Sequence, residues 1–323
     1  MCTTSTPYDD VYRTMLNNCS SLILPVINEM FGEHYTGKEQ IVFGINEHFL
    51  NQQDGEEEKC VTDTAFTVIG KTRKKYHVEC QSTSDSSMLI RMFEYESQIA
   101  LDDGKVKGNT LTVTFPHSGV LYLRHTKKTP DEMTIKIKTS GGEVSYPVKV
   151  LKAQGYTIDE IFKKRLLFLI PFYIFTHEKR FRVYNTNRRK LEGLKSDFEE
   201  IKGRLEVLMN SGEITEYTKC MIIDMSNRVL EHIAWKYENV KEEVKNVMGG
   251  KVLNYEAKDI LNQGISQGIS QGINQGVGQG KREVAENLIK RGKQSFEEIA
   301  EDTGMTVMEV EALAEKLGIF TTA

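Results

Sequence analysis

The octapeptide KYHVECQS, residues 75–82, places Glu79 and Gln81 two positions apart at the end of a run whose apolar residues alternate. On a strand, alternate side chains share a face, so His77, Glu79 and Gln81 point to one side and Tyr76, Val78 and Cys80 to the other. The preceding run, CVTDTAFTVI at 60–69, also alternates and carries Asp63 near its start. The turn-like GKTRKK joins the two runs, which predicts an antiparallel hairpin. In that pairing Asp63 comes close to the end of the second strand, and two carboxylates and an amide oxygen converge. Oxygen donors of this kind suit Mg²⁺ or Mn²⁺, which bind through one or two carboxylates and keep several waters for substrate phosphate to displace. Such an ion activates a water and neutralises charge on a phosphodiester during hydrolysis. The plainer reading makes Asp63 a strand-start cap and Glu79 a solvated edge residue, and the spacing alone leaves both readings open. His77 shares the face of Glu79, where a lone histidine reads more simply as a hydrogen-bonded structural residue than as a base.

The elements that must position these residues are legible on both sides. Residues 8–31 read as helix, with Leu22, Ile23, Val26, Ile27 and Met30 at helical spacing and Pro25 as a kink or restart. After the hairpin, Asp85 is placed to cap a helix running to about Leu101, with Met88, Leu89, Met92 and Ile99 as its core stripe. Arg91 and Gln98 lie off that stripe, two turns apart, where they either face the site and meet a phosphate or form a solvated face. DDGKVKG ends the helix, and strands follow within 111–125, 133–139 and 141–153. The order of helix, hairpin, helix and strands predicts an α+β (mixed α/β) core, a sheet flanked by helices.

From Thr157 onward the pattern is helical. Thr157 and Glu160 form a capping-box pair, and segments 190–210 and 213–247 read as charged amphipathic helices. Residues 262–280 repeat with period four, NQGISQGISQGINQGVGQG. An aliphatic residue every fourth position drifts by roughly 40° per repeat on a helix, and each glycine costs about 1 kcal/mol against alanine. The segment is either a stripe that pairs with a second copy, making a homo-oligomer, or a flexible spacer. At 295–323, two further capping boxes, Ser295–Glu298 and Thr306–Glu309, flank Gly304. Seven acids against Lys316 make this helical hairpin a poor partner for phosphates, and a small packing module is expected.

Cations cluster elsewhere. The hairpin tip holds Lys71, Arg73, Lys74 and Lys75. The stretch HEKRFRVYNTNRRK at 177–190 holds Lys179, Arg180, Arg182, Arg188, Arg189 and Lys190 against the single acid Glu178. Clusters of this kind supply salt-dependent affinity for a nucleic-acid backbone, or else are ordinary surface charge.

An Asp, a hairpin, Glu-x-Gln and then a helix resembles the core of the PD-(D/E)XK nuclease superfamily. Longer stretches resemble one bacterial branch of it, the recombination-promoting nuclease / putative transposase family: CSSLILPVINEMFGEHYTG, VTDTAF, YHVECQSTSDSSMLIRMFEYESQIAL, GVLYLRHTKKTPDEM and TIDEIFKKRLLFLIPFY. The resemblance covers roughly residues 8–180, and the helical half, repeat and acidic tail look like that family's C-terminal part. It implies a restriction-endonuclease-like domain over 1–180, a charged helical region over 181–255, the repeat and linker over 256–294, and the acidic hairpin over 295–323. It implies Asp63 and Glu79 as ligands of Mg²⁺ or Mn²⁺, Glu29 as an additional acid, DNA as substrate, and a link to recombination or mobile DNA. Gln81 stands where the superfamily carries lysine, so the positive charge that lysine brings to a transition state is missing there. A non-catalytic DNA- or partner-binding protein of the same fold, and an oligomerising defence toxin, are the rival readings.

Composition sets the limits. Of 323 residues, 39% are hydrophobic and 27% charged, in the range of ordinary globular proteins, and the net charge of −4 confines any nucleic-acid affinity to local patches. Five scattered cysteines without CxxC or Cys/His pairing argue against a disulfide scaffold or a zinc site. The apolar run LLFLIPFYIF, 166–175, is too short to cross a bilayer and contains Pro171, so it is expected in the core. With no secretory signal pattern at the start, a cytoplasmic location is expected.

Overall fold

The computed structural model of the chain describes residues 7–43, 47–51, 57–61, 64–83, 87–249, 280–282 and 284–317. Asp63, Asp85 and residues 262–279 lie outside the described residues, so the expected metal ligand Asp63, the expected cap Asp85 and the pairing stripe are not placed. The chain divides into two compact units, Met1–Gly250 and Lys251–Ala323.

The strands are β1 (Gln40–Phe43), β2 (Glu47–Asn51), β3 (Glu57–Val61), β4 (Ala65–Ile69), β5 (Arg73–Gln81), β6 (Lys105–Lys107), β7 (Thr110–Thr112), β8 (His117–Tyr122), β9 (Glu132–Thr139) and β10 (Gly142–Lys152). Six of them form one mixed sheet in the order β1-β4-β5-β8-β10-β9, while β2–β3 and β6–β7 pair separately. The predicted hairpin is present: β4 pairs antiparallel with β5, Ala65 opposite His77. β5 then runs parallel to β8, which places Glu79 beside Val120 and Gln81 beside Tyr122. Parallel neighbours need a crossover, and here the connection carries α3 (Met88–Asp102).

Strand alternation sorts the sheet into two faces. Phe66, Val68, Tyr76, Val78, Cys80 and Leu121 join the larger core, together with α1 (Pro7–Asn18) and α2 (Leu24–Phe31). Val120, Tyr122 and Val148 face the other way, onto Met88 and Met92 of α3. Pro25 restarts the chain as α2, in the first turn, where its missing N–H is no loss.

Gly119, opposite Val78, lets α2 approach the sheet. A Cβ there would lie 2.3 Å from Met30 Sδ and 3.0 Å from Phe31 Cζ. Gly119→Val is therefore expected to cost about 1–3 kcal/mol by overpacking. Urea unfolding would register it as a lower midpoint at unchanged slope.

The helical half is α4 (Ile158–Lys163), α5 (Phe181–Tyr184), α6 (Arg188–Asn210), α7 (Glu216–Ile233) and α8 (Glu238–Met248). The Thr157–Glu160 capping box forms with both of its hydrogen bonds. Residues 167–176 coil as a 3₁₀ helix whose Leu167, Phe168, Leu169, Ile170 and Phe172 are buried, as expected of a core segment. Among the described residues, no helix is long and apolar enough to cross a membrane. One hydrophobic core runs across residue 180: Leu16, Phe168, Leu194, Val229 and Val244 belong to the same cluster.

The segment expected as one helix over 213–247 is broken at Ala234–Tyr237. Tertiary contacts compete with helix continuation there. Asn239 donates through its backbone N to Asn185 Oδ1 (3.0 Å) and through Nδ2 to the Asn185 carbonyl (2.7 Å).

In the second unit, α9 (residues 284–291), α10 (Phe296–Thr303) and α11 (Val307–Lys316) bury Ala285, Ile289, Ile299, Val310 and Ala314 among themselves. Both expected capping boxes form. It is a small helical packing module.

Candidate functional site

β5 lies inside the sheet, with β4 on one side and β8 on the other. A polar face is costly there unless its groups satisfy one another. They do so as a chain. Thr64 Oγ1 donates to Glu79 Oε1 at 2.9 Å, and His77 Nε2 lies 3.1 Å from the same oxygen. The other ring nitrogen, Nδ1, lies 3.3 Å from Glu96 Oε1, and Tyr146 donates its hydroxyl to Glu96 Oε2 at 2.8 Å. His77 and Glu96 are fully buried, whereas the Glu79 side chain keeps 18% exposure.

Electrostatics fixes the protonation pattern. Burial alone would push the His77 imidazole down; the hydrogen bonds and charges of Glu79 and Glu96 overcome it and hold the group up at about 9. At neutral pH the ring is therefore cationic, with both N–H groups donating. Burial works to raise the Glu79 carboxyl, but the His77 hydrogen bond and charge, the Thr64 hydroxyl and the charge of Arg91 together hold it below its ordinary value. Burial and the Glu96 hydrogen bond raise Tyr146, so its hydroxyl stays protonated as a donor. The result is an ionised Glu79 whose hydrogen bonds, among the described residues, all end on Oε1.

Two of the expected residues lie at this carboxylate, Gln81 and Arg91, while no contact among the described residues places Gln98 there. Gln81 sits half-buried two residues along the same face, at the end of β5. Arg91, half-buried in the first turn of α3, reaches Glu79 electrostatically. Gln98 is half-buried further along that helix.

Others are placed elsewhere. Glu29 is carried by α2, which packs on the Tyr76–Val78–Cys80 face, opposite to that of Glu79. There Glu29 pairs with Lys164 Nζ at 2.5 Å and accepts from the Tyr156 hydroxyl at 3.0 Å. Lys74 and Lys75 belong to β5 rather than to the hairpin tip, and both are engaged in ion pairs, with Glu33 (2.7 Å) and Asp103 (2.5 Å). Arg180 and Arg182, in the segment leading into α6, and Arg188 and Arg189, in its first turn, are exposed.

Three participants were not singled out from the sequence: Thr64, Glu96 and Tyr146. Glu96 had a signal. It stands four residues after Met92 and eight after Met88, on the apolar stripe of α3, where a charge requires a buried partner. Tyr146 had none, because only the sheet order brings β10 close to α3.

The donor chemistry fits a hard divalent cation in kind: an ionised carboxylate whose Oε2 takes no hydrogen bond from the described residues, and an amide on the same face. Among the described residues, no group of three or more His, Cys, Asp or Glu side chains is arranged to hold a metal ion. His77 and Glu96 are spent on each other, which leaves Glu79 as the outward-facing member. Comparison of the chain with family models, curated proteins and solved structures finds no match.

Proposed function

We propose that this chain is a metal-dependent DNA endonuclease with a restriction-endonuclease-like core, in which Glu79 is a metal-binding carboxylate. The observation that carries the reading is the clamped state of Glu79, ionised and held through one oxygen by Thr64 and His77. A solvated edge residue has no need of a buried imidazolium backed by a second acid. The hairpin, the following helix and the parallel strand after it support the reading, as does the resemblance to the PD-(D/E)XK superfamily.

Glu79, with Asp63 immediately before Thr64 in the chain, would hold Mg²⁺ or Mn²⁺. The ion, when bound, supplies a water of lowered pKa and charge compensation at the phosphodiester. The protein's own residues prepare that chemistry. His77 orients Glu79 and keeps its carboxylate deprotonated, and Glu96 and Tyr146 fix the imidazole. Gln81 contributes an amide that orients the attacking water, and Arg91 contributes positive charge to a face that lacks the superfamily's lysine. The connection to recombination or mobile DNA rests on the resemblance alone.

Nicking of supercoiled plasmid by wild type and Asp63→Ala, in Mg²⁺, Mn²⁺ and EDTA, tests the proposal. Metal-dependent nicking lost in Asp63→Ala supports it. A second reading, a binding protein that keeps the fold, is favoured by Gln81 in the lysine position. Equal DNA binding by the two proteins with no nicking by either would select that reading instead.

A further inference from the structure

Trp235, the single tryptophan of the chain, stands 66% exposed in the break between α7 and α8. A lone exposed apolar residue needs no explanation, but its surroundings here do. Lys236 Nζ lies 4.5 Å from the indole centroid. The break is pinned to the segment before α6 by the two Asn239–Asn185 hydrogen bonds and by the Tyr237 ring against Phe181, centroids 5.6 Å apart.

That segment and the start of α6 present Lys179, Arg180, Arg182, Arg188, Arg189 and Lys190, all exposed and, among the described residues, without an ion-pair partner. Two acids of the neighbourhood are already occupied: Glu178 by Arg124 (2.5 Å) and Glu238 by Lys241 (2.6 Å). Arg188, Arg189 and Lys190 fill the first turn of α6, which holds no acid. Cations at the positive end of a helix work against its dipole, so this placement gains nothing for the fold. A polyanion laid across it would gain from both the side chains and the helix field.

We propose that Trp235 and these cations form a binding surface for single-stranded nucleic acid, with backbone phosphates on Arg180, Arg182, Arg188 and Arg189 and an unpaired base stacked on the indole. The inference rests on the nucleic-acid reading above, but it uses neither a metal nor any residue of the Glu79 cluster. A duplex hides its base faces, so cations alone would hold it, whereas stacking on an aromatic platform selects an unpaired strand.

Because Trp235 is the sole tryptophan, its emission reports on this surface alone. The test is a titration of the full chain with a dT oligonucleotide in EDTA, beside a duplex of equal length and beside poly-glutamate. The expected result is quenching by dT that reverses as salt rises, with much less quenching by duplex. Anisotropy of labelled dT should show Trp235→Ala binding about tenfold or more weakly and Trp235→Phe near wild type, with Arg182→Glu/Arg188→Glu not binding. Equal quenching by duplex and dT, no quenching by dT, or unchanged affinity in Trp235→Ala would overturn the proposal. Quenching by poly-glutamate and not by dT would overturn it in favour of an acidic protein partner. Glu79→Gln should quench like wild type, so failure of the nuclease reading and failure of this surface give different results.

Discussion

Exchange of Glu96 for alanine is expected to lower the stability of the first unit by about 3–5 kcal/mol, the usual cost of removing one partner from a buried ion pair. Glu96 and His77 are both fully buried, 3.3 Å apart, and Tyr146 depends on the same acid for its hydroxyl. Without Glu96 the imidazolium keeps only Glu79, and the Tyr146 hydroxyl loses its acceptor, a further desolvation cost. Glu96→Gln retains acceptor and donor atoms without the charge, so its loss should be clearly smaller. Urea unfolding of the three proteins in EDTA, with linear extrapolation, reads both differences. The same titration repeated across pH carries a sign. His77 ionises at about 9 in the folded protein against an ordinary value of 6.5. Its contribution is therefore fully present below pH 6.5 and is lost as the pH rises through 9. Glu96→Ala should flatten that decline and move it to lower pH. A wild-type stability that holds level from pH 6.5 to 10 would contradict the buried imidazolium.

Glu79→Gln is expected to behave in the opposite way, sparing the fold and removing the chemistry. The amide oxygen still accepts from Thr64 and His77, so the variant should stay folded, with a stability loss no larger than the few kcal/mol of a broken buried ion pair, because the charge beside the His77 imidazolium is gone. What it loses is the negative charge that a cation needs. Metal-held activation of water and phosphate is worth several kcal/mol of transition-state stabilisation. At 1.36 kcal/mol per tenfold, cleavage should fall on the order of 10²–10⁴-fold. DNA affinity in EDTA should be unchanged, since the exposed cations of 179–190 lie on a different element. A variant that both unfolds and stops cutting would show Glu79 as a structural residue.

The hairpin was legible because period-two alternation survives burial on both faces: apolar Tyr76 and Val78 point to one core, and His77 and Glu79 to the other side. The direction of β5 against β8 was not legible, since parallel pairing depends on a crossover whose path no local pattern specifies. Lys74 and Lys75 were misplaced to the tip for a related reason. GKTRKK reads as a turn by composition, yet the sheet extends β5 back to Arg73, where Glu33 and Asp103 neutralise the two lysines. Glu29 has a position in the sequence consistent with either face, and only the packing of Met30 against Gly119 decides it. The break at Trp235 contains neither glycine nor proline, and it became visible only once Asn185 appeared as the partner of Asn239.

The most direct measurement is the rate of plasmid nicking by wild type and Glu79→Gln across a Mg²⁺ titration ending in excess EDTA, with unfolding midpoints recorded on the same preparations. The account predicts nicking that requires the metal and falls at least 100-fold in a folded Glu79→Gln protein. Nicking that persists in EDTA, or in Glu79→Gln at the wild-type rate, would contradict it.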